Sequence, residues 1–238
     1  MLDLKSLRNN ADKVHRVIAP TQQLRWPLLC ERASCELWLK HENHNPTGSF
    51  KVRGGLIYLT NLKESDPAVE GVVAATRGNF GQSVAFAASR LGLKSVVVVP
   101  EGNNPDKNRA MKALGAQVIV AGVDFDESVE ASRDLAEQGG FHLMPSFHAD
   151  LVAGVASYAL ELFDALPDLD RVYVPIGLGS GISGVVSARN ALGLSTEIVG
   201  VVSENANCYQ LSFAAGAVRS THSANTLADG LAVRNPDS

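Results

Sequence analysis

The sequence has few of the features that mark secreted, membrane and nucleic-acid-binding proteins. Its 238 residues include only Cys30, Cys35 and Cys208, too few for a disulfide framework, and the four residues between the first two offer no zinc partners. No apolar run approaches the roughly 18 residues of a membrane span, and the start, MLDLKSLRNN, contains no apolar signal core. A formal charge of −4 gives no basic footprint for nucleic acid. We therefore expect a cytoplasmic globular protein that binds neither nucleic acid nor a membrane.

What is present is an alternation of short β-branched runs and helix-length segments. The runs are continuously apolar, which is typical of strands buried on both faces of a parallel sheet. They predict strands at residues 70–76, 95–100, 116–122, 171–177 and 196–203. One-sided apolar faces and Pro and Gly boundaries predict helices at 79–91, 106–114 and 152–166. This order predicts a doubly wound α/β fold with right-handed crossovers.

The predicted strands fall into two clusters with a long helix between them. We expect a small α/β domain at 48–142 and a large, discontinuous α/β domain formed by 1–47 and 143–238. The two domains share a crevice, because open sheets bind ligands beyond the carboxyl ends of their strands. No helix follows LADGLAVRNPDS, so we expect the large domain to lack its C-terminal part.

The segment GLGSGISG, residues 177–184, follows one predicted strand and opens a helix. Clustered glycines let backbone N–H groups approach a phosphate, and the helix N-terminus adds partial positive charge. Gly179, Gly181 and Gly184 also satisfy the dinucleotide-binding pattern, with Glu204 twenty residues on as a ribose-binding acid. Only 54 residues follow Gly184, too few for the second half of a dinucleotide-binding sheet. A site for a single phosphate is favoured; glycines that merely end a strand are the alternative.

Lys51 lies in HENHNPTGSFKVRGG, residues 41–55. Gly48 and Ser49 favour a turn and a helix cap, which places the lysine at a helix start among apolar neighbours. Such a lysine loses its proton more easily and can act as a nucleophile, although most lysines are solvated surface groups. His41 and His44 have no third ligand spaced to join them, so we predict no metal site.

The segment TRGNFGQS, residues 76–83, joins a predicted strand to a predicted helix. Thr76 suits a helix cap, and the free N–H groups of the first turn suit a carboxylate. Asn79 adds a side-chain amide for a ligand oxygen. A capping turn without any ligand is the alternative. Taken together, a reactive lysine, a phosphate loop and a carboxylate pocket are what pyridoxal phosphate and an amino acid would need.

Four motifs in this order, NPTGSFKVRG, TRGNFGQS, VPIGLGSGISG and TLADGLAV, resemble the fold type II pyridoxal-phosphate enzymes. The similarity runs from about residue 15 to the end. It is greatest to the serine/threonine dehydratases, which are ammonia-lyases, and to the related serine racemases. The resemblance implies a tryptophan-synthase-β-like fold of two α/β domains with pyridoxal 5′-phosphate in the crevice between them.

The resemblance also implies a role for each matching residue. Lys51 would bond covalently to the cofactor and remove the substrate α-proton, with Phe50 packed beside the ring. Asn79 would hydrogen-bond the pyridine hydroxyl, and Gly230 would lie near the ring. The phosphate cradle would comprise Gly177, Leu178, Gly179, Ser180 and Gly181. The residues that contact the substrate would be Thr76, Arg77, Gly78, Asn79 and Phe80.

The sequence departs from the family pattern at several positions. Arg77 stands where racemases carry a serine acid/base, and a guanidinium keeps its proton, so racemisation is disfavoured. Arg77 either pairs with an anionic substrate or is solvated. Phe80 replaces a histidine, which favours a bulkier or more apolar substrate side chain. Some relatives bind a metal through acidic residues that follow the strand corresponding to 196–203. Here Glu204 is the only such acid, so no metal is predicted.

These residues favour a lyase that converts a β-hydroxy amino acid, such as threonine, serine or a bulkier relative, to a 2-oxo acid and ammonia. A racemase or β-replacing synthase of the same fold is the alternative, as is a catalytically inactive relative. A nicotinamide-dependent oxidoreductase is a more distant alternative. Apolar sheet surface left open by a missing C-terminal part would need cover, so we expect a homodimer or higher homo-oligomer.

Overall fold

The computed structural model describes residues 2–236. Within this range the strands are β1 (Gln23–Arg25), β2 (Trp38–Lys40), β3 (Gly71–Ala75), β4 (Lys94–Val99), β5 (Gln117–Val120), β6 (His142–Leu143), β7 (Arg171–Pro175) and β8 (Glu197–Val201). The helices are α1 (Leu4–His15), α2 (Pro27–Ala33), α3 (Lys51–Ser65), α4 (Asn79–Arg90), α5 (Pro105–Ala113), α6 (Phe125–Gly139), α7 (Ala149–Ala165), α8 (Ser180–Ala191) and α9 (Cys208–Ala215). Short 3₁₀ helices span Glu42–His44 and Asp229–Leu231.

A parallel four-stranded sheet with the order β5–β4–β3–β6 forms the first half of the fold. Val73, Val96 and Val98 pack against α6 on one face. On the other face the sheet packs against α3, α4 and α5. Alternate side chains of a strand point to opposite faces, so a strand covered on both sides must be apolar throughout. The predicted doubly wound arrangement is confirmed for this sheet.

Strands β7 and β8 form a second parallel pair, in which Val172 lies opposite Ile198. Helices α1, α7 and α8 cover one face of this pair. The prediction that all five strands are buried on both faces is correct for β3 and β4 but wrong for β5, β7 and β8. Tyr173 and Val201 are 62% and 41% exposed. An apolar run indicates a strand but does not tell whether one face or both are covered.

Three strands have no counterpart among the predictions. β1 and β2 form a short antiparallel pair around α2, and β6 extends the four-stranded sheet by two residues. Runs of two or three residues are too short to show a period of two, so the sequence pattern does not detect them.

Glycines allow the helices around the site to pack closely. A Cβ on Gly154 of α7 would lie 2.3 Å from the carbonyl oxygen of Arg53 on α3. A Cβ on Gly55 of α3 would lie 2.2 Å from Ser83 Oγ on α4. Helix α3 is therefore held between α4 and α7, and its N-terminal end has a fixed position relative to both.

No helix within residues 2–236 is long and apolar enough to cross a membrane. The division into domains at 48–142 and at 1–47 with 143–238 stays a prediction, and positions 1, 237 and 238 of the predicted large domain lie outside the described residues.

Candidate active site

A cavity of about 580 Å³ lies where the N-terminal ends of α3, α4 and α8 come together. Its volume is in the range of cofactor and small-molecule sites. Its wall includes every residue that the sequence singles out for cofactor or substrate: Phe50, Lys51, Thr76, Arg77, Gly78, Asn79, Phe80, Gly177, Leu178, Gly179, Ser180, Gly181 and Gly230. Four segments that are distant in the sequence thus line one cavity, while the role of each residue stays a prediction.

Lys51 is the first residue of α3, as the turn before it predicts. Its Nζ donates a hydrogen bond to Ser180 Oγ at 3.3 Å and lies 5.4 Å from the centre of the Phe50 ring. Burial lowers the pKa of Lys51 from 10.5 to about 8, because the charged amine loses its hydration. A sizeable fraction of the amine is therefore neutral near physiological pH and able to attack a carbonyl carbon.

The turn before Lys51 is present, but its cap differs from the expectation. Gly48 has a φ of +66°, and its N–H donates to the Asn45 carbonyl at 2.8 Å. Phe50 occupies the cap position, and Ser49 does not cap the helix. Ser49 Oγ lines the cavity, is buried, and has no hydrogen-bond partner within residues 2–236. Since an unsatisfied buried hydroxyl is unfavourable, it is a group that a bound ligand would satisfy.

Two contacts fix the first turn of α3 from opposite sides. On the α4 side, Ser83 Oγ donates to the Lys51 carbonyl at 2.6 Å. On the α7 side, Arg53 is fully buried and makes ion pairs with Glu42 at 2.7 Å and Glu161 at 2.5 Å. The backbone that carries the reactive lysine is thereby anchored in both directions. Sequence reasoning missed Arg53, because its partners lie 11 and 108 residues away.

The glycine loop joins β7 to α8 and brings backbone close to the cavity. Gly179 caps α8 with a φ of +97°, a conformation that favours glycine. A Cβ on Gly177 would lie 2.5 Å from the Gly230 carbonyl oxygen, and one on Gly181 would lie 3.3 Å from Phe50 Cζ. The first N–H groups of α8 have no acceptor within the helix and form its partially positive end. The loop can therefore receive an anion.

The loop before α4 forms a second helix N-terminus at the same cavity. Thr76 Oγ1 accepts hydrogen bonds from the N–H groups of Gly78 at 3.0 Å and Gly81 at 3.1 Å. The cap position itself belongs to Gly78, so Thr76 acts from two residues before it. Asn79 is exposed at the cavity wall, and Phe80 is half-buried against the apolar core between α3 and α4. The first N–H groups of α4 can receive a carboxylate.

A segment near the C-terminal end, residues 224–235, covers part of the cavity; we call it the strap. Lys107 on α5 makes an ion pair with Asp229 of the strap. Arg234 of the strap lies 3.4 Å from Asp126 and 3.8 Å from Asp124, at the start of α6. The sequence analysis identified Gly230 alone in this segment, because these ion pairs join residues more than a hundred positions apart.

The chain belongs to the family of pyridoxal-phosphate-dependent enzymes, whose profile matches residues 14–238. Among curated relatives, the L-threonine ammonia-lyase of Thermotoga maritima is 35% identical over 99% of this chain. Among solved structures, a pyridoxal 5′-phosphate-dependent aspartate racemase has a TM-score of 0.93 at 27% identity and covers all of this chain and 74% of its own. The T.th. threonine deaminase has a TM-score of 0.92 at 31% identity, over 99% of this chain and 76% of its own.

The resemblance and the fold class predicted from the four motifs are confirmed: the chain has the α/β fold of fold type II pyridoxal-phosphate enzymes. The chain spans 59% of the length of the Thermotoga relative.

The cofactor of this family is pyridoxal 5′-phosphate, and the cavity residues fit it. The amine of Lys51 suits its aldehyde, and the N-terminus of α8 suits its phosphate. Because Gly177 and Gly181 lack a Cβ, the loop approaches the Gly230 carbonyl and the Phe50 ring closely at the cavity wall. The unsatisfied Ser49 hydroxyl adds a polar group for a ligand at the same wall.

Two other features of the motifs have local structural explanations. A Cβ on Gly184 would lie 3.0 Å from the backbone nitrogen of Ala156, so this glycine allows α8 to pack closely on α7. Trp26 Nε1 donates to His41 Nε2 at 3.1 Å, and His41 stacks on His44. In the described part of the chain, no three His, Cys, Asp or Glu side chains are grouped as metal ligands.

Proposed function

We propose that this chain carries the catalytic centre of an ammonia-lyase that converts a β-hydroxy amino acid, such as threonine or serine, to a 2-oxo acid and ammonia. The observation that carries the proposal is a buried amine, Lys51 Nζ, in a cavity that also receives the N-termini of α4 and α8. One amine and two partially positive helix ends suit one aldehyde, one phosphate and one carboxylate. The activities named for the Thermotoga ammonia-lyase and the threonine deaminase support it.

The two helix ends hold the anionic groups. The phosphate would lie on Gly177, Leu178, Gly179, Ser180 and Gly181 at the start of α8. The substrate carboxylate would lie on the backbone of Thr76, Gly78, Asn79 and Phe80 at the start of α4. Phe50 and Gly230 would flank the cofactor ring, and the Asn79 amide would hydrogen-bond the hydroxyl on that ring. This arrangement would orient the substrate between the two anchors and above Lys51.

Lys51 is the proton-transfer group in this proposal. When bound, pyridoxal phosphate supplies an aldehyde that bonds to amines and a ring that accepts the electron pair of the broken Cα–H bond. The pKa of about 8 lets Nζ take that proton as a base and then carry it as an acid. The hydroxyl on Cβ leaves as water once it receives a proton, and Ser180 Oγ, which belongs to the phosphate loop, lies 3.3 Å from Nζ.

The experiment traps the lysine first and measures turnover second. The purified chain is mixed with pyridoxal phosphate, reduced with borohydride and digested, and we expect the adduct mass on the peptide that contains Lys51. L-Threonine and L-serine are then supplied, and 2-oxo acid and ammonia are measured. Lys51→Ala removes both signals, whereas Lys112→Ala, on an exposed face of α5, leaves both unchanged. An adduct on another lysine, or none, would falsify the assignment of Lys51.

A racemase is the second candidate, and the aspartate racemase structure supports it. Racemisation needs a second acid/base on the face opposite Lys51, and a guanidinium, the group that Arg77 offers there, is not a general base. We therefore favour elimination over racemisation. Chiral chromatography of the products from L-serine separates the two activities, since a racemase yields D-serine and a lyase yields pyruvate.

We further propose that the protein works in the cytoplasm and that it is a homo-oligomer. We also propose that the cavity lies between a small domain, residues 48–142, and a large domain formed by residues 1–47 and 143–238. Exposed apolar side chains, Leu28, Tyr173 and Phe213 among them, support an assembly that covers them. Sedimentation velocity measures the oligomeric state, and a concentration-independent monomer would contradict it.

A further inference from the structure

The acidic side chains that line the cavity are all paired. These acids are Asp124, Asp126 and Asp229, and each lies next to a basic residue that lines the same cavity. Lys107 pairs with Asp229, and Arg234 pairs with Asp124 and Asp126. These contacts join the strap to α5 and α6 and leave no acid free, among the described lining residues, to balance another cation.

Two basic residues of the wall remain without an acidic partner in the described part of the chain, Lys51 and Arg77. Lys51 has a use, because its amine bonds to the cofactor aldehyde in the proposed function. Arg77 has none. Its guanidinium makes neither a hydrogen bond nor an ion pair with residues 2–236.

The backbone holds Arg77 in a defined place at the cavity mouth. It lies between Thr76, which is 3% exposed and bonded to the first turn of α4, and Gly78, which caps that helix. Its side chain is exposed and also lines a neighbouring cavity of about 370 Å³, together with Glu101 and Asp229. No ion pair forms with either acid, so the guanidinium is available to a ligand at the mouth.

Resting on the proposed function, we propose that Arg77 selects substrates whose Cβ carries a carboxylate beside the hydroxyl, such as β-hydroxyaspartate. The N-terminus of α8 suits the phosphate, and the N-terminus of α4 suits the α-carboxylate. Arg77 is then the third positive group at the cavity, after the two helix ends. It would bind a third anionic group, the carboxylate on Cβ of the substrate. A guanidinium fork matches a carboxylate in a bidentate geometry, which a methyl group cannot use. Arg77 is thereby a specificity-determining residue.

The test uses two substrates that differ in one group. β-Hydroxyaspartate is threonine with its methyl group replaced by a carboxylate. With cofactor-loaded protein, we expect kcat/KM for β-hydroxyaspartate to exceed that for threonine, and Arg77→Gln to lower only the former, by about ten- to a hundredfold. Arg77→Lys should keep part of the preference. Arg90→Gln is the matched control, because Arg90 is an exposed arginine at the opposite end of α4.

A binding measurement keeps the inference separate from the proposed function. Calorimetry with L-aspartate and L-2-aminobutyrate compares the same carboxylate and methyl groups without a leaving hydroxyl. Tighter binding of aspartate that Arg77→Gln abolishes supports the selectivity even if no substrate is converted, an outcome that would refute the lyase alone. Suppose that threonine is turned over but neither β-hydroxyaspartate nor aspartate is preferred in a way that depends on Arg77. This result would refute the proposed selectivity and leave the proposed lyase activity standing. If Arg77→Gln lowered kcat/KM equally for β-hydroxyaspartate and threonine, and affinity equally for aspartate and 2-aminobutyrate, Arg77 would be assigned to the α-carboxylate. That result would overturn the inference.

Discussion

The charge of the Lys51 amine depends on burial, and this has a measurable consequence for stability. Its pKa is 10.5 in an ordinary setting and about 8 in the fold, so between these values the unfolded chain binds the extra proton. The free energy of unfolding therefore rises as the pH increases from about 8 toward 10.5, and below about 8 the full penalty is present. In cofactor-free protein at neutral pH, Lys51→Met should raise the free energy of unfolding by up to about 3 kcal/mol.

Urea unfolding at a series of pH values measures this effect. The difference between Lys51→Met and the unaltered chain should shrink as the pH approaches 10.5. Lys112→Met changes an exposed lysine and should show no such trend. A difference that stays constant across this range would mean that the amine is not buried in solution.

Ser49 and Ser83 are two buried serines near Lys51 that differ in their hydrogen bonding. Ser49 Oγ has no partner in the described part of the chain, whereas Ser83 Oγ donates to the Lys51 carbonyl. Because a partnerless hydroxyl gains nothing from the fold, Ser49→Ala should leave the cofactor-free protein equally or more stable. Ser83→Ala should lower the free energy of unfolding by about 1 kcal/mol. Calorimetric titration should then show weaker binding of cofactor or substrate to Ser49→Ala. Destabilisation by Ser49→Ala would show that its hydroxyl already has a partner.

Local signals explain which site residues the sequence could predict. Lys51 was predictable because a turn precedes it and apolar residues flank it, and Gly179 because it belongs to a glycine cluster that follows a strand and opens a helix. The sequence could not predict that Gly78 rather than Thr76 caps α4, since both residue types cap helices. The unpartnered hydroxyl of Ser49 and the buried ion pairs of Arg53 depend on chain segments that are distant in the sequence, so no local pattern predicts them.

Among the elements, α3 depends most on a charge cluster buried beside it. Arg53 is fully buried between Glu42 and Glu161, and Lys40 Nζ lies 2.6 Å from Glu161. Burial acts to raise the pKa of Glu161, but the hydrogen bonds and charges of Arg53 and Lys40 bring it below its usual value. Arg53→Met leaves two buried carboxylates short of a partner and should cost about 3 to 5 kcal/mol of the free energy of unfolding.

The pH dependence of that variant distinguishes a lost charge from lost packing. A carboxylate whose pKa is lowered in the fold contributes its full stabilisation at a pH above its usual pKa. That stabilisation is lost as the pH falls from the usual pKa through the lowered one. Without Arg53 the pKa of Glu161 rises, so the acid-induced loss of stability should begin at a higher pH. Arg171→Met, which breaks the exposed pair with Glu197, should cost far less than Arg53→Met, because water and salt screen an exposed ion pair. Equal costs for the two variants would contradict the role of burial.

The elements that the sequence pattern predicts are all present, but length alone did not decide which elements it found, since the 15-residue α6 and the 12-residue α1 have no counterpart among the predictions. All five predicted strands and all three predicted helices are present within a few residues, because each has a run or a face long enough to show its period. The two-residue strand β6 offers no period, and its place in the sheet comes from Val72 pairing with His142. The exposure of Tyr173 on β7 depends on which helices cover the second sheet, which is a property of the whole chain.

For the molecule as a whole, the strap links the cavity to the helices of the first sheet by two sets of ion pairs. Both sets are partly exposed, so their attraction is modest and screened by salt. Lys107→Gln should therefore loosen the strap without unfolding the protein: amide hydrogen exchange over 224–235 should speed up, and substrate affinity should fall severalfold. Arg109→Gln, in an exposed pair on the same helix α5, should change neither quantity. Added salt should speed exchange in the unaltered chain and have less effect in Lys107→Gln. Unchanged exchange in Lys107→Gln would mean that packing around Leu231 and Val233, rather than charge, holds the strap against the cavity.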